Sequence, residues 1–222
     1  MPETDTLAAT RRSLHAVAEH VLAAALHAAT GHIGLRAAPG GFATPPFPGP
    51  EGTRVLAVDG TDLVVTDGEQ SRRAPLTTVG AAAAFAGIRP GAPAEVYTPV
   101  TPLEPDRALE LDEGAAARLA AVFTTVASAL EQLGASDTTA PEAQLWPEHF
   151  DLATTLSEVN YGGSPGDEEH PQPYLYVGPW TLPDTGDPYW NEPFGASTGA
   201  PPDLDVTSAV RFFDEGRARL AG

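Results

Sequence analysis

Four side chains able to donate, accept or ligate crowd one late stretch of the chain: His149, Asp151, Asp167 and His170. The segment "WPEHFDLATTLSEVNY", residues 146–161, reads as extended from His149. Side chains alternate across a strand, so His149, Asp151, Ala153, Thr155 and Ser157 fall on one face and Phe150, Leu152, Thr154 and Leu156 on the other. An imidazole and a carboxylate two residues apart then project together. That pairing suits a histidine oriented by a carboxylate, or two ligands of one metal ion. A helical course over the same residues would separate them.

The loop "SPGDEEH" brings Asp167, Glu168, Glu169 and His170 behind a turn made by Ser164, Pro165 and Gly166. Clustered carboxylates suit hard cations, and histidine with carboxylate suits transition metals. The alternating ligand spacing of an EF-hand is absent. His149, Asp151 and His170 are therefore the candidate metal ligands for a divalent ion, with Glu148 or Glu169 as the base if that ion activates water. The plainer reading of the acidic run is a solvated hairpin tip.

Downstream, "PYLYVGPW" sets Tyr174 and Tyr176 on one face against Leu175 and Val177 on the other. Trp146, Trp180 and Trp190 lie in the same region. Aromatic rings among carboxylates can hold an organic cation through ring faces and counter-charge. The expected pocket has His149, Asp151, Asn160, Asp167 and His170 as its polar groups. Its walls are Trp146, Tyr161, Tyr174, Tyr176 and Trp180.

"LWPEHFDLA", "NYGGSPGD" and "PYLYV", in that order over about residues 145–180, resemble an uncharacterised bacterial domain family of unknown function. That family's pattern has a Trp-Pro-x-His-Phe-Asp block, a Phe-Ser-Pro-Gly-Asp block and a Pro-Tyr-x-Tyr block. The resemblance carries no activity. It draws attention to His149, Asp151, Ser164, Gly166, Asp167, Tyr174 and Tyr176. The chain departs from the pattern at Gly163, where the family has an aromatic residue that would form a pocket wall.

Composition removes many chemistries. The chain has no cysteine, and all twelve of its basic residues are arginine. Thiolate metal sites, cysteine nucleophiles, Schiff-base lysines and the P-loop lysine are all excluded. A net charge of −18 speaks against nucleic acid and against anionic membrane surfaces. Between Arg118 and Arg211 fourteen acids occur and no Lys or Arg, so a site built from that window alone favours metals, amines or neutral ligands over anions. Pro165 after Ser164 removes the amide that a nucleophile elbow uses, and the Gly-Gly pairs lack the context of a dinucleotide fingerprint. The N-terminus has no signal-like apolar run, so a cytoplasmic location is expected.

The elements that must position these groups follow from periodicity. Residues 6–29 read as an amphipathic helix ending at Gly31, with His15 and Glu19 as a surface pair and His20 and His27 off the apolar face. A Pro/Gly loop covers residues 39–52, and Arg54–Val58 and Asp62–Thr66 flank a "DGT" turn as a hairpin. Residues 76–87 form a short helix, residues 94–100 a strand, and Asp112 caps a long helix running to Gly134. "GASDTTAPEA", 134–143, reads as a boundary between a helix–hairpin–helix half (1–135) and an acidic aromatic half (139–222) of one compact domain. Asp205 caps a last helix to about Leu220.

The expected fold class is α+β: an antiparallel sheet of the 54–66 hairpin and the 149–161 and 173–179 strands, packed by two or three amphipathic helices. A long ordered Pro/Gly/aromatic loop region completes it. The function expected first is a small-molecule (cationic or neutral) or metal-binding module with its pocket in residues 146–180. A metal-assisted hydrolase or isomerase using His149 and Asp151 is the enzymatic alternative. A structural or interaction protein, packing its aromatic loops on a partner or in a homo-oligomer, is the third.

Overall fold

The computed structural model describes residues 3–135, 140–184 and 186–221. Part of the expected 134–143 boundary, residues 136–139, lies outside these. The chain opens with α1 (Glu3–Val17), passes through a π-helical segment (Ala18–Ala23), and continues as α2 (Ala24–Thr30). Gly31 ends it in the left-handed conformation, φ 76°, which glycine adopts without a steric penalty.

Six short strands follow: β1 (Arg36–Ala38), β2 (Gly41–Ala43), β3 (Phe47–Gly49), β4 (Gly52–Asp59), β5 (Asp62–Asp67) and β6 (Gln70–Pro75). They form one antiparallel sheet in the order β1-β2-β4-β5-β6, with β3 also on β4. The "DGT" turn is real: Asp59 pairs with Asp62 across it. The loop expected over residues 39–52 contains β2 and β3, because its Phe42 and Phe47 are drawn into the core.

Next come α3 (Val79–Ala86), capped by the Thr78 hydroxyl, and α4 (Glu113–Gly134), capped by Asp112, which accepts from Ala115 N at 2.9 Å. The second half supplies β7 (Gln144–Trp146), β8 (Asp151–Leu156), β9 (Val159–Ser164), β10 (Tyr174–Pro179), β11 (Ala196–Gly199) and α5 (Val206–Ala221). These strands form a second antiparallel sheet in the order β11-β10-β9-β8-β7. The α+β class therefore stands, but with two sheets where one was expected. A bridge between Leu35 and Leu145, with reciprocal 2.9 Å hydrogen bonds, joins their edges.

Helix α4 is the common spine. Its stripe of Leu119, Val122, Phe123, Val126, Leu130 and Leu133 is buried against β1 and β2 on one side and β8, β9 and α5 on the other. One apolar cluster runs from α1 through both sheets to Phe213 of α5.

The second sheet has two unlike faces. Leu152, Thr154, Leu156, Tyr161, Gly163, Leu175 and Val177 point to the helices, and Tyr161 meets Phe213 edge-on at 6.0 Å. Asp151, Asn160, Gly162, Ser164, Tyr174 and Tyr176 point the other way. Gly163 therefore forms no pocket wall. A Cβ there would lie 2.5 Å from Val126 Cγ2, so its missing side chain lets α4 sit on the sheet.

The long first helix departs from a simple amphipath at its π-helical segment. A π turn accommodates one more residue than an α turn and so rotates the faces that follow it. Here all six residues, including Glu19 and His20, are buried. The expected surface histidine and surface ion pair are thus interior groups. Glu19 accepts from Val100 N at 2.9 Å, Thr101 N at 2.8 Å and the Thr101 hydroxyl. His20 accepts from Ala92 N through Nδ1 and donates from Nε2 to the Thr101 carbonyl, each at 3.0 Å. The strand expected at 94–100 is instead a loop of turns: Val96 N and Tyr97 N donate to the Pro93 carbonyl, and Val100 N donates to Glu19.

Gly163→Ala is expected to cost about 1–3 kcal/mol in urea unfolding, as overpacking does. Adding Val126→Ala should recover part of that loss, a coupling that a double-mutant cycle measures.

Candidate ligand-binding cleft

The outward face of the second sheet is the floor of a cleft of about 1110 Å³. Its walls are the later turns of α1 (residues 9–16), the 100–110 loop, the 147–151 turn, and the segments around Trp180 and Phe194. Sequence alternation holds from Asp151 onward but fails just before it. Residues 147–150 are a turn, closed by Phe150 N donating to the Trp146 carbonyl at 2.7 Å, and Phe150 has φ 53°. A left-handed conformation costs a non-glycine residue about 1–2 kcal/mol. Burial of the Phe150 ring among Phe42 and Phe123, with centroids at 5.3 and 5.5 Å, offsets it.

His15 holds the same turn from above. It stacks on Phe150 at 5.1 Å, and its Nε2 donates to the Pro147 carbonyl at 2.7 Å. Burial lowers the His15 pKa, opposed in part by Glu19, so the neutral ring is favoured. The turn thus delivers Glu148, His149 and Asp151 to one end of the cleft. His149 and Asp151 do not share a strand face, because His149 belongs to the turn and is exposed.

Asp151 is the unusual group. It is only 8 % exposed, and Oδ2 accepts a short hydrogen bond from the Tyr176 hydroxyl. Its own amide lends some support, yet among the described residues Oδ1 is buried without a hydrogen-bond partner. Burial raises the Asp151 pKa; the Tyr176 hydroxyl and His149 oppose that rise without cancelling it. Burial and the neighbouring carboxylate drive the Tyr176 pKa well above the usual phenol range, so the tyrosine stays the donor. Gly162 makes the arrangement possible. A Cβ there would meet the Tyr176 Cζ and hydroxyl oxygen at 2.6 Å.

A second orphan lies beside it. Among the described residues Glu148 Oε2 is buried without a partner, as is the Tyr97 hydroxyl, whose pKa is raised by burial and then by Glu19 and Glu148.

The 164–172 loop is built differently from its acidic look. Asp167 Oδ1 accepts from Glu169 N at 2.8 Å and His170 N at 2.6 Å, and Oδ2 accepts from the Tyr174 hydroxyl at 2.8 Å. Asp167 thus organises its own turn. His170 pairs through Nε2 with Glu192 Oε1 at 3.0 Å, and the Ser197 hydroxyl donates to the same oxygen at 2.7 Å. The proposed ligand trio is split among separate partners: His149 on the exposed turn, Asp151 with Tyr176, and His170 with Glu192. Among the described residues no three His, Asp or Glu side chains converge to hold an ion.

Of the ten residues expected to line the pocket, His149, Asp151, Asn160, Asp167, Tyr174, Tyr176 and Trp180 do so. Trp146 lines a separate 430 Å³ hollow with His32, Pro45 and Gln144, because the 147–150 turn reverses the chain after it. Tyr161 faces the helices, as alternation with Asn160 demands. His170 stands behind Tyr174, ring centroids 4.8 Å apart, and braces it.

The expectation of a site without cations is corrected by the fold. Arg11, Arg12 and Arg107 line the cleft, all from outside the acidic window. Arg11 is buried and donates to the Asp167 carbonyl at 3.0 Å and the Pro171 carbonyl at 3.3 Å. Gly166 beside it has φ 99°, and a Cβ there would lie 2.8 Å from the His170 carbonyl oxygen, which explains that glycine. Arg107 pairs with Glu104 at 2.8 Å. No local signal in the sequence ties Arg11, His15 or Phe194 to this floor. No family model, curated protein or solved structure matches the chain.

A raised carboxyl pKa in the folded state gives stability that is full below the unfolded value, about 3.9, and lost as pH rises through the folded value. Asp151→Asn is therefore expected to raise Tm at pH 7.5 and to leave it unchanged near pH 3. One kcal/mol corresponds to about 2–4 °C for a chain of this size. Tyr176→Phe, which leaves both carboxyl oxygens unpartnered, is expected to cost about 1–3 kcal/mol at pH 7.5. Scanning calorimetry across pH checks both.

Proposed function

We propose that this protein binds a small neutral or cationic organic molecule in the cleft over its second sheet. The carrying observation is Asp151 Oδ1, an acceptor buried at the floor of a roomy cleft without a hydrogen-bond partner. Such an atom costs stability unless something donates to it. A ligand N–H or O–H is the donor that the cleft has room for. Aromatic rings beside a few convergent polar groups are the usual make-up of small-molecule sites. The excess of carboxylates over arginines along the walls favours neutral and positive ligands over anions.

The metal-assisted reading has no comparable support, since its three ligands have different partners. The location in residues 146–180 is kept but widened, with α1, the 100–110 loop and Phe194 as further walls.

The test is amide NMR of the full chain against a fragment library divided into amines, neutral hydroxyl compounds and carboxylates. Amines and neutral compounds are expected to shift the amides of Asp151, Asn160 and Tyr176. Tyr176→Phe should weaken these hits about threefold to tenfold by unsettling the carboxylate. A library that leaves those amides unmoved, or hits confined to other surfaces, would overturn the assignment.

A further inference from the structure

We infer that the ligand of this cleft is an amphipathic organic cation, an ammonium or amidinium head on an aromatic or aliphatic body. Its head sits at Asp151 and Glu148 and its body lies along Trp180, Phe194 and Leu182. This assignment rests on the ligand-binding role of the cleft and adds the chemical class.

The head group follows from the floor. Asp151 Oδ1 and Glu148 Oε2 are both buried, both acceptors and both without partners, and they are delivered by one turn. A neutral hydroxyl offers a single donor, whereas an ammonium or amidinium offers several together with the charge that two adjacent carboxyls require. Of the three arginines along the cleft, Arg11 is held by two backbone carbonyls, Arg107 pairs with Glu104, and Arg12 is exposed.

The body follows from the mouth. Large apolar side chains are exposed there in a group: Trp180 at 67 %, Leu182 at 45 % and Phe194 at 40 %. All three line the same cleft as Asp151. Phe194 stands edge-on to Tyr176 at 6.3 Å, and the Tyr176 hydroxyl is bonded to Asp151, so apolar wall and carboxyl floor are in direct succession. Gly178, which lines the cleft between Asn160 and Phe194, keeps that passage clear of a side chain. An exposed apolar group next to a buried acid matches a molecule with an apolar body and a positive end.

Binding such a cation favours the ionised form of Asp151, so affinity should rise with pH while that carboxyl gives up its proton. Isothermal titration of the full chain tests the assignment with 4-phenylbutylammonium, 4-phenylbutanol, butylammonium and 4-phenylbutyrate. The aromatic amine is expected to bind about tenfold or more tighter than the alcohol at pH 7.5, a charge-assisted against a neutral hydrogen bond. Its affinity should fall as pH is lowered through the titration of Asp151. Asp151→Asn should bring amine and alcohol within about twofold of each other and flatten the pH profile. Trp180→Ala, at an exposed position, should weaken the aromatic amine about fivefold and leave butylammonium unchanged.

Alcohol or carboxylate binding as tightly as the amine would overturn the cation assignment while leaving the cleft a binding site. Silence from all four probes would overturn it as well. Silence extended to the whole fragment library would remove the binding role itself.

Discussion

Asp151 is carried into a water-poor floor by a turn that has to adopt a left-handed residue to do it. The cost of Phe150's backbone is met by three packed phenyl rings and by His15, which stacks on Phe150 and donates to Pro147. Once there, the carboxyl is held on one oxygen by Tyr176, across the gap that Gly162 leaves. The other oxygen is buried and, among the described residues, has no hydrogen-bond partner.

Such an arrangement is destabilising in isolation, and a protein under selection for stability alone would place an amide or an apolar group there. The surrounding structure invests in keeping the site in shape. The π-helical segment turns Glu19 and His20 inward, and these two side chains fix the backbone of the 92–101 loop. Arg11 does the same for the 164–172 loop on the opposite wall. The first helix thus carries little of the floor but pins both walls.

The parts legible in the sequence are those set by local chemistry. Asp112 and Asp205 cap their helices, as expected from acid-before-helix patterns, and the "DG" turn closes β4 on β5. Tyr174 and Tyr176 share a face because strand alternation is unaffected by what lies elsewhere. What was illegible depends on residues far apart in the chain. Arg11 reaches a region 156 residues away, so the window without cations gave a false picture of the site's charge. The outward reading of His20 fails because helical periodicity presumes an α-helix, and the π segment shifts the phase. Trp146 and His149 were misplaced for one reason: the turn at Phe150 resets the alternation that an extended reading carries through it. Tyr161 was within reach of sequence reasoning, since it cannot share a face with Asn160.

The central claim is that Asp151 is a buried acid with one unpartnered oxygen, whose pKa burial raises and a bound organic cation lowers again. The direct measurement is a carbon-13 NMR titration of the Asp151 side-chain carboxyl in the intact protein, alone and with 4-phenylbutylammonium. The account predicts a titration raised above the ordinary carboxylate range in the free protein and a shift back toward that range with the amine bound. A carboxyl that titrates near 4 in the free protein, or one whose titration the amine leaves unchanged, would contradict it.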